Sequence, residues 1–306
     1  MQLTRRCPLL REKKMRVKPA MRYPSLNSFA DAAPKVLAAK GPFAVVLLED
    51  ETEVDSTIEH CLKAGFSDVI VAGNPELLPD ADEGLHLVAL DIHQQDAFCD
   101  MVNAVIQAKP TSWIHYCYNA EYLFFPFCET RNVRELTEFN NEERRDTIMT
   151  YVVDLYSNDL GQHANGVSRK QAYFDRSGYY ALQRFTEDGH ALERQMDFFG
   201  GLRWRFEEHV PWLKRRIDRV GLFKAHPGLK LREDHTFNDA EYNTYSCPWH
   251  HNISATICSF RTAKALITNP GSKYTIPHFW WEGSEKFNWN SNQLMEFGLM
   301  EPGQWF

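Results

Sequence analysis

The chain has 306 residues, 43% hydrophobic and 25% charged, a balance that excludes wholesale disorder and suits one large or two modest globular domains. No run approaches the roughly 18 apolar residues a membrane-crossing helix needs, and the basic start has no apolar core behind it, which argues against a secretory signal. The net charge is −7; eight basic residues among the first 22 face Glu12 alone, a net +7, so the remainder carries −14.

That acidic body disfavours nucleic acid as a partner, because phosphate binding needs a basic face. Residues 1–22 read as a disordered tail, with Met15 or Met21 as alternative starts. The other reading of this basic arm is contact with RNA or with anionic lipid, which would make a cytoplasmic protein peripheral to the inner face of the membrane. Seven cysteines, at 7, 61, 99, 117, 128, 247 and 258, form no CxxC pair. Most lie in apolar patterns and read as reduced core thiols.

Residues 1–42 form the basic arm and a lead-in, with one short helical pattern over 26–39. The apolar run 43–48 has the signature of a strand covered on both faces, and Val54, Ile58, Cys61 and Leu62 follow at helical spacing up to Gly65. Strands at 68–72 and 85–90, a helix carrying Phe98, Met101, Val102, Val105 and Ile106, and a strand from Trp113 complete a β-α-β-β-α-β order. Right-handed crossovers make this an α/β fold with a doubly wound, mostly parallel sheet. Neither GxGxxG nor a P-loop follows the first strand, which disfavours a dehydrogenase or a P-loop NTPase.

In a parallel sheet all strand carboxyl ends share one edge, where ligands of open α/β sheets bind. Acids and amides recur there: Glu49-Asp50-Glu51, Asn74, Asp91, and the pair Asn119 and Glu121. Hard oxygen ligands at such an edge suit a divalent cation and a diphosphate; the alternative is ordinary turns and helix caps.

Further on, 133–143 reads as a helix, 147–155 as a buried strand ending at Asp154, and Phe174-Asp175 begins an aromatic segment. Gly200-Gly201-Leu202-Arg203-Trp204-Arg205 is expected to form a strand with both arginines on one face, for a phosphate or carboxylate or else solvated. Residues 211–219 read as a helix with a solvated basic face. Asp234-His235 and Cys247-Pro248-Trp249-His250-His251 follow, the latter in a spacing that fits neither a zinc finger nor HExxH. Residues 254–267 read as a closing helix, and the tail, 271–306, is too aromatic for a linker and should fold back on the body.

Over residues 43–266 these motifs, in this order, resemble the bacterial family 2-like glycosyltransferases, whose nucleotide-binding sheet is of the GT-A type. Glu49-Asp50-Glu51 stands where that family has a K-N-E or R-N-E triplet, residues 60–74 resemble the following helix and strand, and Tyr118-Asn119-Ala120-Glu121-Tyr122-Leu123 resembles its D-x-D-E-F-L-like metal motif with two aspartates lost. The remaining landmarks correspond to Val153-Asp154-Leu155-Tyr156, Phe174-Asp175 with Gly178-Tyr179, Gly200 to Arg205, and Asp234-His235.

The resemblance implies a transferase moving a sugar from a nucleotide diphosphate sugar to a glycan or lipid-linked acceptor in surface polysaccharide synthesis, or a degenerate member that binds a sugar nucleotide, a glycan or a partner without chemistry. It implies an α/β nucleotide-sugar half at 43–126 and an irregular α+β acceptor half at 127–270. Glu49, Asp50, Glu51, Asn74, Asp91, Arg203 and Arg205 would bind substrate, Asn119, Glu121 and His235 would hold Mn²⁺ or Mg²⁺, and Asp154, Asp175 or Asp234 would be the base.

Overall fold

A computed structural model describes residues 20–80, 84–245 and 252–305. The basic arm up to residue 19, Cys7 and the cluster from Cys247 to His251 lie outside the described residues.

Strands β1 (Met21–Tyr23), β2 (Phe43–Leu48), β3 (Asp68–Gly73), β4 (Leu85–Ala89), β5 (Trp113–Tyr118), β6 (Glu121–Phe124) and β7 (Thr147–Asp154) are interspersed with helices α1 (Leu26–Val36), α2 (Val54–Ala64), α3 (Ala97–Ala108) and α4 (Val133–Glu142), with β3 and β4, and β5 and β6, consecutive. The later strands are β8 (Tyr156–Ser157), β9 (Ala172–Asp175), β10 (Tyr180–Phe185), β11 (Ala191–Phe199), β12 (Asp218–Lys224), β13 (Ser254–Ser259) and β14 (Ser284–Lys286). Three short helices accompany them, α5 (Leu202–Arg205), α6 (Arg261–Thr268) and α7 (Ser291–Glu296).

One nine-stranded sheet runs β1-β4-β3-β2-β5-β12-β7-β13-β6. It is mostly parallel: β12 runs antiparallel to β5 and β7, and β6 antiparallel to β13. The fully apolar β2 explains the layering. Phe43, Val45 and Leu47 pack with α1 and α3 on one face, while Ala44, Val46 and Leu48 pack with α2 on the other. Strand alternation thus divides one apolar run between two cores. The strands on either side of residue 126 belong to the same sheet, since β5 pairs with β12. Among the described residues no helix is long and apolar enough to cross a membrane. Cys61, Cys99, Cys117 and Cys258 are buried and free, and Cys128 is free and half-buried.

Three segments depart from the expected elements. Residues 200–205 are not a strand: Gly201 holds a left-handed φ of 64° and starts the single turn α5. A Cβ on Gly201 would come within 3.0 Å of an Asp154 oxygen, so the glycine permits close packing against that carboxylate. Residues 211–219 are a 3₁₀ turn over Trp212–Lys214 followed by the start of β12, because the apolar run after Arg219 pairs with both β5 and β7. Residues 254–267 divide into buried strand β13 and helix α6. In the last two cases long-range strand pairing overrides a local helical pattern.

Near the end of the chain an aromatic side chain is buried. Trp305 is buried against Phe125, Phe127 and Phe139, with the Arg131 guanidinium 4.5 Å from its ring centroid. Replacing Trp305 with alanine is expected to cost about 3 kcal/mol or more in urea unfolding, as for large aromatic truncations in cores. A loss below about 1 kcal/mol would mean the tail is not part of the cooperative unit.

Candidate functional site

From β2 the chain winds through α2 to β3 and then β4 on one side, whereas β5 takes the opposite side of β2. The junction between β2 and β5 is therefore the topological switch point, the place where the connections diverge and leave a crevice at the strand carboxyl ends. Glu49 and Asp50 follow β2, and Asn119 and Ala120 lie between β5 and β6.

Asn119 is completely buried, and its amide joins the two loops. The Glu49 N–H donates to its Oδ1 at 2.8 Å, and its Nδ2 donates to Asp50 Oδ1 at 2.8 Å and to the Thr52 carbonyl at 2.9 Å. Ala120 continues the turn with φ 61°, its N–H held by the Thr57 hydroxyl at 2.9 Å and its carbonyl by the Phe260 N–H at 3.0 Å.

Glu121 is buried too. Its Oε2 accepts from the Tyr118 N–H at 2.9 Å and from the buried Arg219 guanidinium, and its Oε1 accepts from the Ser259 hydroxyl at 3.0 Å. Burial alone would raise this carboxyl, but the charges of Arg219 and Arg261 and the hydrogen bonds outweigh it and hold it at about 2. Glu121 is thus not an exposed strand-end acid but a structural counter-ion.

The neighbouring acids are paired in the same way. Glu49 forms a two-pronged pair with Arg261, at 2.7 Å from Nε and 2.5 Å from the second nitrogen. Arg261 also lies over the Tyr118 ring, 3.6 Å from its centroid. Asp50 meets Lys264 at 2.8 Å. Burial pushes Asp50 up, but the hydrogen bond and charge of Lys264 prevail and hold it below the usual range. Three acids from the first half of the chain thus face three cations from β12 and α6.

His235 joins the group at φ 62°, its Nδ1 lying 3.1 Å from the Tyr116 hydroxyl and its ring stacked on Tyr116 at 12°. Burial, and after it the charges of Arg219 and Arg261, hold its imidazole well below the ordinary value, so it is neutral near pH 7. Asn74 and Asp91 stand at the ends of β3 and β4 on the same edge; Asp91 accepts the His93 N–H at 3.1 Å, and His93 Nε2 lies 3.2 Å from the Glu49 carbonyl. Glu51 is exposed at the head of the β2–α2 loop.

The remaining candidates go elsewhere. Arg203 and Arg205 do not share a face: Arg203 lies 3.5 Å from buried Asp154, and Arg205 2.7 Å from buried Asp175. Asp175 also accepts from Tyr156 at 2.6 Å and Trp281 at 2.8 Å, so it fastens the tail to the body. Burial raises Asp154 despite the charge of Arg203. Asp234 is exposed and closes a turn by accepting the Thr236 N–H at 3.0 Å and hydroxyl at 2.6 Å.

Among the described residues no three His, Cys, Asp or Glu side chains gather to hold a metal ion. Asn119 and Glu121 do not fit a divalent cation in this arrangement, since their oxygens are taken by protein donors and Arg219 adds a positive charge where the ion would sit. The residues missed from sequence are Arg219, Arg261 and Lys264. Their signal is position: Arg219 directly precedes the apolar run of β12, and Arg261 opens α6 two residues after β13 ends, with Lys264 three residues further on. The chain matches no protein-family model, and no curated protein matches it.

Glu121→Gln should destabilise the fold by about 3 kcal/mol, because it leaves the Arg219 charge buried without its counter-charge. A carboxyl depressed from 4.5 to about 2 stabilises the fold above pH 4.5 and loses that contribution as pH falls towards 2. The stability gap between wild type and variant should therefore shrink over that window in acid-titrated urea unfolding. A gap that is absent at pH 7 would remove the structural role.

Proposed function

We propose that this chain is a GT-A-type transferase, similar to the bacterial family 2-like enzymes, that binds a nucleotide diphosphate sugar at the carboxyl edge between β2 and β5. The observation that carries the reading is the half-exposed Arg261 fork at the switch point, stacked on Tyr118 and backed by buried Arg219 and Lys264. A fork of this kind suits a diphosphate, and concentrated positive charge at a preorganised edge suits the charge that develops on a leaving diphosphate.

In this reading Glu49 acts as a stand-in anion. The donor diphosphate displaces it from Arg261, while Asn74, Asp91 and His93 lie on the β3 and β4 side, where the nucleoside would rest. The acceptor oxygen forms a bond to the anomeric carbon as the bond from that carbon to the β-phosphate oxygen breaks. The electron pair leaves with the nucleoside diphosphate, and the hydroxyl proton passes to a carboxylate if the reaction inverts. Of Asp154, Asp175 and Asp234, only Asp234 has an exposed side chain able to take it. The arginines take the part that Mn²⁺ or Mg²⁺ would play in the full metal motif, and the acceptor would be a glycan or lipid-linked sugar of surface polysaccharide synthesis.

A second reading, binding of a sugar nucleotide or glycan without chemistry, is favoured by one observation. Asn119, Glu121, Asp154 and Asp175 are all committed to the fold. Product formation from a bound donor separates the two.

Calorimetry with UDP-glucose, GDP-mannose and dTDP-glucose, in EDTA and in Mn²⁺, tests the shared premise. At least one donor is expected to bind in EDTA. Arg261→Gln should weaken it by about tenfold or more, the loss of a charge-assisted bond worth about 1.5–3 kcal/mol, and Glu49→Gln should tighten it by removing the competing anion. Binding to none of the three, or equal binding by the Arg261 variant, would overturn the placement.

A further inference from the structure

A second feature lies apart from the switch point. A cavity of about 620 Å³ opens beside Glu53, His163, Ser168, Arg169, Lys170 and Trp289, within the range of small-molecule sites. It lies on the other side of β6 from the Glu121 pair, since Tyr122, the next residue along the strand, turns its hydroxyl to Glu53 at 3.2 Å and its ring to Trp289, 5.0 Å between centroids.

The chemistry of its wall is specific. The Arg169 guanidinium stands 5.3 Å from the Trp289 ring centroid and 5.6 Å from that of Tyr122, with the nearest carboxylate, Glu53 Oε2, at 4.0 Å. Among the described residues it donates no hydrogen bond, and its side chain is exposed beside the two rings. Glu53 Oε2 is taken by the Ser56 and Tyr122 hydroxyls, at 2.5 and 3.2 Å, which leaves Oε1 to accept from a ligand. The Trp289 indole N–H donates to the Arg169 carbonyl at 2.9 Å, so ring and loop are locked together. Both Glu53 and Trp289 hold φ 55°. A bulky residue in that region is uncommon and is retained where the surroundings enforce it, often at binding sites.

We propose that this cavity binds a sugar carrying a carboxylate or phosphate. Arg169 pairs with the oxyanion, Lys170 adds a second positive charge at the rim, Glu53 accepts from ring hydroxyls, and the half-buried Trp289 offers an apolar face to the sugar. Aromatic rings joined with arginine and acid side chains match a ligand with an apolar ring face, many hydroxyls and one negative charge. Under the transferase reading this is the acceptor subsite, and only that name rests on the reading; the binding does not.

Saturation-transfer NMR titrations with glucuronic acid, glucose 1-phosphate and glucose test the site without any nucleotide. At least one anionic sugar should bind the wild-type chain tenfold or more tightly than glucose, and the better of the two identifies the oxyanion. Arg169→Gln, an exposed and fold-compatible change checked by its Tm, should abolish that advantage. Arg261→Gln should leave it intact. No transfer to either anion, equal affinity for glucose, an unaffected Arg169 variant, or loss in the Arg261 variant would each overturn the assignment. Anionic sugars that bind while nucleotide sugars do not would support the cavity and remove only its acceptor role.

Discussion

The carboxyl edge of the sheet depends on one buried ion pair, Glu121 with Arg219. Taking both charges out of water is costly, and the cost is offset only because every available oxygen of the carboxylate is occupied, by Arg219, the Tyr118 N–H and the Ser259 hydroxyl. Those partners come from β12, β5 and β13, so the pair fixes three strands at once. It also sets the turn between β5 and β6, where Asn119 in turn determines the path of the β2–α2 loop. Position and charge at the switch point are consequences of this arrangement.

A cation at Arg219 changes what the edge can attract. Ligands that are acids in a metal-dependent site become counter-ions here, and the net field at the crevice is that of Arg261, Arg219 and Lys264 offset by Glu49, Glu121 and Asp50. Exposure separates the three pairs: Arg219 and Glu121 are buried, Lys264 is buried beside a half-exposed Asp50, and Arg261 and Glu49 both reach solvent, at 32% and 20% side-chain exposure. Only an exposed pair can exchange its anion for a ligand's at modest cost, so under the proposed reading recognition falls to Arg261 and structural support to Arg219. Burial depresses the imidazole of His235, and the charges of Arg219 and Arg261 add to it.

The first half of the fold was readable in the sequence because its signals are local. Apolar runs over Phe43–Leu48 and Asp68–Gly73, and helical spacing from Val54 to Cys61, each specify their element without outside help. The second half was harder to read. Residues 211–219 look like a basic amphipathic helix until β5 and β7 are available to pair with β12, and the Gly200-Gly201 turn depends on Asp154 packing beneath it. The positions of the edge acids were readable for the same reason as the strands that carry them, but their partners were not. Glu121 and Arg219 are 98 residues apart, and Glu49 and Arg261 212. A sequence shows that a residue is charged, not which distant charge it meets, so Glu121 read as an exposed ligand when it is a buried counter-ion.

The most direct measurement is a double-mutant cycle on that pair, with Glu121→Gln, Arg219→Met and the double variant compared by urea unfolding at pH 7. A structural ion pair predicts that each single change costs about 3 kcal/mol, because each strands a buried group, and that the double change costs no more than either, a coupling of about 3 kcal/mol or more. Additive effects, with coupling under about 0.5 kcal/mol, would contradict the pair as the centre of the edge and return Glu121 to the role of an independent ligand.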